Sequence, residues 1–122
     1  MKELAVDGCS LELDHGSGSI SISTTPSTVV KADGKGCHKG SISFSISGFT
    51  GNKILNPDGA GSGSISGSAQ YTKIEGSPAV LKDDNVTVTL TGTAGQGSSQ
   101  HPETEDVTVK VSDAGQTYAK GE

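Results

Sequence analysis

Five side chains in this 122-residue sequence are soft enough to bind a transition metal: Cys9, His15, Cys37, His38 and His101. Zinc takes four such groups in a tetrahedron, so any four of them would suffice. Cys37 and His38 are neighbours, and neighbours in an extended chain point to opposite faces, so only one of the pair is expected in a shared site. The favoured set is Cys9, His15, Cys37 and His101 around one Zn. No Cys-x-x-Cys or His-x-x-x-His spacing accompanies it, and two plainer readings compete: a Cys9 to Cys37 disulfide, or two inert buried thiols.

The other polar clusters offer weaker chemistry. His101-Pro102-Glu103-Thr104-Glu105-Asp106 has the composition of a cation site and equally that of a solvated loop. Asp83-Asp84 and Asp58-Gly59 lack the oxygen count and spacing of a calcium loop and read as turns. Asn85-Val86-Thr87 is a glycosylation sequon, idle without a secretory route. The chain has no Gly-x-Ser-x-Gly elbow, no phosphate-binding glycine loop ending in Gly-Lys and no His-Glu-x-x-His pair, so it is not expected to be an enzyme.

The elements that must position these residues are strands. Residues 40–48, GSISFSISG, alternate strictly: Ile42, Phe44 and Ile46 fall on one face, and Ser41, Ser43, Ser45 and Ser47 on the other. A period of two is the pattern of a half-buried strand. Related Gly/Ser/Ile blocks occur at 16–23 and 61–68. No segment carries a capped helical stripe, so the expected class is all-β with many short strands.

Composition narrows the class further. Ile, Leu, Val and Phe number 7, 6, 9 and 2, and aromatic residues make up 3% with no Trp, so a deep sandwich core built on a large ring is not expected. The formal charge is −5, Arg is absent and Lys is scattered, which argues against a nucleic-acid partner. No apolar run reaches 18 residues, and charge enters at Lys2, Glu3 and Asp7, too early for a secretory signal. The expected localisation is cytoplasmic on synthesis, with any export by a route that reads no N-terminal signal.

In chain order, residues 4–13 read as two short strands about the Asp7-Gly8 turn, and 16–23 as the first Ser/Ile strand. Residues 28–32 read as a β-branched strand, 40–48 as the strand described above, and 49–59 as an irregular excursion pinned by Ile54 and Leu55. Short strands are expected at 70–75 and 79–82, a clean alternating strand at 86–93, a loop at 94–105 and a last strand at 107–111. The tail from Ser112 is expected to be a loose arm. The domain reading is 1–91 as one β domain, with 92–122 as an acidic loop plus C-terminal strand packed on it. Laying residues 27–36 (STVVKADGKG) on 78–87 (PAVLKDDNVT) matches Val29 to Val80, Lys31 to Lys82 and Asp33 to Asp84, a repeat offset of 51 residues.

The segments Glu75-Gly76-Ser77-Pro78-Ala79-Val80 and Thr25-Pro26-Ser27-Thr28-Val29-Val30, with Asp14-His15-Gly16, resemble the strand-turn-strand units of the PAAR-repeat family over residues 5–91. The Pro-Ala-Ala-Arg tetrapeptide itself is absent. The resemblance implies a small tapered, conical all-β assembly of pseudo-repeats, with Zn bound by His and Cys near the apex. It also implies a structural role at the tip of a contractile injection system, in type VI secretion or a phage tail-like particle. The implied partners are a trimeric spike or phage hub protein, bound through the wide base, and transiently the target-cell membrane; the chain by itself would be monomeric. A rival from another class is an extracellular or phage-surface β-sandwich binding module.

Overall fold

The computed structural model describes residues 2–117, 120 and 121. Among the described residues twelve strands form: β1 Lys2–Glu3, β2 Ser10–Leu13, β3 Ser17–Ile22, β4 Lys31–Ala32, β5 Lys35–Gly36 and β6 Ser41–Thr50. They continue as β7 Gly59–Ser66, β8 Lys73–Ile74, β9 Ser77–Pro78, β10 Asn85–Ala94, β11 His101–Asp113 and β12 Lys120–Gly121. The only helical turn among the described residues is a 3-10 turn at Gly97–Ser99.

Six strands make one antiparallel sheet in the order β2-β11-β10-β7-β6-β3, wrapped into a nearly closed, barrel-like body. The architecture is a single rolled sheet, not two stacked ones. Its two edges, β2 and β3, are consecutive in sequence yet do not pair, and they leave a seam. Three pairs of two-residue strands, β4-β5, β8-β9 and β12-β1, lie outside the large sheet.

The alternation of β6 sets the core. Ile42, Phe44, Ile46 and Phe49 are buried, each at 2% exposure or less. Full burial of such a side chain contributes about 1.5–3 kcal/mol. The outward serines form ladders: Ser41, Ser43 and Ser45 lie opposite Ser66, Ser64 and Ser62, and the Ser43 and Ser64 hydroxyls are 2.9 Å apart.

Glycine on β7 acts inside the body. A Cβ on Gly61 would stand 2.5 Å from Leu90 Cδ2, and one on Gly63 would stand 2.5 Å from Val88 Cγ1. Leu90, Val88 and Phe44 thus occupy volume that β7 leaves free, and a chain with few large side chains fills its interior.

The short strand pairs reveal the true repeat. The pairings Lys31↔Gly36 and Ala32↔Lys35 match Lys73↔Pro78 and Ile74↔Ser77, and both match Lys120↔Glu3 and Gly121↔Lys2. Asp33-Gly34 and Glu75-Gly76 turn the first two hairpins with positive φ at both residues, the geometry of a tight I′-type turn.

Beyond each pair the chain crosses the end of the body, and the crossings bridge cyclically: Leu4 to Leu81, Val6 to Cys37, Lys39 to Ala79. Backbone bonds repeat the cycle, with the amides of Asp7, Gly40 and Lys82 donating to the carbonyls of Gly36, Pro78 and Glu3 at 2.8, 2.9 and 2.9 Å. Three units with the same pairing register therefore recur among the described residues, each bridged to the other two.

The repeat offset of 51 is corrected by this register. Lys31 is equivalent to Lys73, 42 residues on, and Val29 is exposed where Val80 is buried in the core. The lure was the shared Lys-x-Asp spacing, whereas the real register is fixed by backbone pairing.

Other expectations also change. Residues 28–30 are not strand, and the segment 70–75 shrinks to Lys73–Ile74. Ile54 is buried, but Leu55 is 61% exposed and pins nothing. Residues 101–105 belong to β11, which pairs with β10 from Ala94↔His101 to Asn85↔Lys110. Position 91/92 falls inside β10, and β11 lies between β10 and β2 in the same sheet. The tail is only partly loose, since Ala114 and Gln116 are buried and β12 pairs with β1; Tyr118, Ala119 and Glu122 lie outside the described residues.

Candidate functional site

Among the described residues the carboxylate most withdrawn from water is that of Glu105, with a side chain 5% exposed. The inward face of β11 runs Val111, Val109, Val107 and then Glu105, so the carboxylate enters the mouth of the body at the end away from the short hairpins. There it accepts backbone N–H bonds from Asn52 at 3.0 Å, Lys53 at 2.7 Å and Ile54 at 3.1 Å. This grip folds residues 51–54 across the mouth and drives Ile54 into the core. Gly51 makes the approach possible, because a Cβ there would meet Glu105 Oε2 at 2.5 Å.

His15, in the loop joining the unpaired edges β2 and β3, completes the arrangement. Its Nε2 contacts Glu105 Oε2, its Nδ1 lies 2.8 Å from Asp14 Oδ1, and its ring meets Phe49 edge-on at 6.2 Å. Both ring nitrogens donate only in the imidazolium form. The bond to Glu105, opposed by burial and helped by Asp14, raises the His15 pKa. Burial pushes the Glu105 carboxyl up, but the three backbone amides and His15 outweigh it and hold its pKa at about 2. Asp14 is lowered in the same way, with burial outweighed by the Thr108 amide and by His15. A histidine between two carboxylates, with no nucleophile in the contact set, is a latch that is strongest when the ring is protonated: it ties the seam loop to β11 and to the 51–54 plug.

The favoured zinc set is distributed. Cys9 lies in the main core and Cys37 in the second cluster with Leu4, Val6 and Ala79. His15 sits in the latch, while His101 is exposed, bonded to the Ser99 carbonyl at 3.0 Å and paired with Glu103. Among the described residues no three His, Cys, Asp or Glu side chains are placed to hold a metal ion. The four chosen ligands are thus not gathered at one place among the described residues.

Both cysteines are free thiols and buried. Burial, with Asp7 adding to it, pushes Cys9 up to about 11, and burial raises Cys37 also, so neither is a ready nucleophile. His38, 3% exposed, shares its register position with Ala5 and Val80. Its Nδ1 has no hydrogen-bond partner, and burial lowers its pKa against the pull of Asp7.

The hairpin end has a different character. Five of the nine lysines (Lys2, Lys31, Lys35, Lys73 and Lys120) stand on the six two-residue strands, interspersed with the acids Glu3 on β1 and Asp33 and Glu75 at the hairpin turns. Val29 and Tyr71, each two residues before the first lysine of its hairpin, are 74% and 79% exposed. Nothing about either residue in isolation marks it; the signal is their equivalence in the corrected repeat.

No family model, curated protein or solved structure matches this chain. Among the described residues no helix is long and apolar enough to cross a membrane. The reading of function therefore rests on geometry.

Proposed function

We propose that this chain is the structural tip of a contractile injection machine, a small tapered all-β cap of the PAAR-like kind, seated as one copy on a trimeric β-helical spike. The observation that supports it is the threefold cycle of crossings and hairpins within a single chain. Homotrimers present three identical sites around an axis. One chain meets all three at once only if it carries three equivalent units at matching angles, and engaging them together multiplies weak contacts into a stable seat.

The mechanical task asks for a body that resists deformation. The rolled sheet leaves only β2 and β3 as its edges, the Glu105 latch ties the loop at that seam to the plug, and the Ser43 and Ser64 hydroxyls join β6 to β7 on the outer face. Edges that are paired or tied resist unravelling under load. The reading routes no step through zinc. Contraction would carry the tip briefly against the target membrane.

The test is co-expression with the trimeric spike protein of the host particle, followed by native mass measurement and solution scattering. The expected result is one copy of this chain per trimer, with a scattering profile that tapers. A chain that stays apart from the trimer and scatters as a sphere overturns the proposal.

A further inference from the structure

The two edges of the large sheet do not meet. All five pairings within it are antiparallel, so β2 and β3 run in opposite directions on either side of the seam. Almost every Cα pair between them is more than 8 Å apart, whereas paired strands stand about 4.7–4.9 Å apart. The loop at 14–16 limits the gap from above. Its four peptide steps from Leu13 to Ser17 reach at most about 14 Å, and the chain turns at Gly16, where φ is 72°. One added strand would set the edges two spacings, about 9.5 Å, apart; two added strands would outrun the loop.

Both edges are prepared for pairing. The amides of Asp14 and Ser23 donate to the carbonyls of Thr108 and Ser43 at 3.0 and 2.9 Å. In an antiparallel ladder such bonded positions recur every second residue, so Glu12, Ser19 and Ser21 also bond back into the sheet. The N–H and C=O groups of Leu11, Leu13, Ile20 and Ile22 then face the gap, and among the described residues no other hydrogen bond takes them. Their side chains pack on the core yet stay only half-buried, while Ile42, Phe44 and Ile46 on β6 are closed off from solvent.

The rim of the gap carries the selectivity. On the solvent face β3 offers Ser19 and Ser21, and β2 offers Glu12, which joins no ion pair among the described residues. On its bonded side Glu12 already stands across from Lys110, with Leu11 and Leu13 across from Val111 and Val109. A folded second copy cannot enter, because the facing edge stands within one strand's width of the other.

We infer that the seam is a binding slot for one extended segment of a partner protein, about four to six residues long, with small aliphatic residues inward and a lysine or arginine outward beside Glu12. The segment enters antiparallel to β2. Its inward residues exchange backbone bonds with Leu11 and Leu13, and its outward residues bond Ile20 and Ile22. Backbone bonds supply affinity and the alternate side chains supply selection. Residues 107–111 of β11, Val-Thr-Val-Lys-Val, show the alternation that β2 accepts on its other side. Inward positions are small because the adjoining core is filled. The slot exists whether or not the chain sits on a spike.

The experiment titrates the isotope-labelled full chain with the acetylated and amidated peptide Thr-Val-Lys-Val-Thr-Val-Lys and follows the backbone amides by NMR. Expected are saturable shifts and slowed hydrogen exchange at Leu11, Leu13, Ile20 and Ile22. The same peptide N-methylated at its valines has no N–H to give β2 and should leave those amides unmoved. Glu12→Lys, an exposed change that should leave melting intact, is expected to weaken the peptide about fivefold, and a peptide with glutamate for lysine should recover the loss.

No response at millimolar peptide, shifts confined to another surface, equal binding of the N-methylated peptide, or indifference to the charge at position 12 would each overturn the slot. Amides of Ile20 and Ile22 that move with the concentration of the chain alone would overturn it too, in favour of a second copy as the occupant. None of these results bears on co-assembly with a trimeric spike, so the two proposals fail separately.

Discussion

Replacing Glu105 by Gln is the sharpest probe of how the body is held shut. The carboxylate accepts three backbone N–H bonds and faces His15, all at the mouth of the core. A glutamine oxygen can accept two of those bonds at most, its amide nitrogen turns a donor toward donors, and His15 loses its anion. Bonds to a charged group contribute about 1.5–3 kcal/mol each and a stranded buried donor costs about 1–3 kcal/mol, so the substitution should cost about 3 kcal/mol. For a domain of this size that corresponds to a fall of about 10–15 °C in melting temperature.

The latch also sets a pH window. Glu105 has a depressed folded pKa, so its contribution is complete above the unfolded value of about 4.3 and is lost as pH falls toward about 2. His15 has a raised folded pKa, so its contribution is complete below its unfolded value of about 6.5 and is lost as pH rises through the folded one. Denaturant unfolding of the wild type should therefore show greatest latch strength between about pH 4.5 and 6.5, and the variant should lose most of both limbs. Glu12→Gln, at an exposed site on β2, serves as a control expected within about 0.5 kcal/mol of wild type. A Glu105→Gln protein as stable as that control, with an unaltered pH profile, refutes the latch.

Two further outcomes follow from the packing and the distributed ligands. Gly61→Val should destabilise by about 1–3 kcal/mol or more in chemical denaturation, because its side chain must displace Leu90; a neutral result would show that the glycines on β7 do not make room for the core. Prolonged chelation should leave both the melting temperature and the metal content unchanged, since Cys9, His15, Cys37 and His101 are not gathered; a stoichiometric zinc that chelation removes, with loss of stability, would show that the ligands rearrange around it.

The amino-acid sequence by itself determined the strands and their faces. In β6 and β10 a side chain's neighbours two residues away lie on the same face, so the placement of Ile42, Phe44, Ile46, Val88 and Leu90 inside, and of serine and threonine outside, is local information. The Asp33-Gly34 turn is local too, because the needed positive φ favours short polar residues and glycine; the Glu75-Gly76 turn is not, since a glutamate at positive φ is imposed by the pairing of β8 with β9. What only the tertiary structure decided is which segments are equivalent and which charges are buried. The threefold cycle joins Leu4 to Leu81, Val6 to Cys37 and Lys39 to Ala79, three bridges with no common side-chain pattern, because backbone N–H and C=O groups make the bonds and every residue type except proline supplies both. Glu105 reads as one more acid in an acidic run until residues 51–54, half a chain away, bring it three amides. His15 is visible as a chemical group in the sequence, but its buried partner Glu105 comes from a strand 90 residues distant, and that closure turns a candidate ligand into a latch.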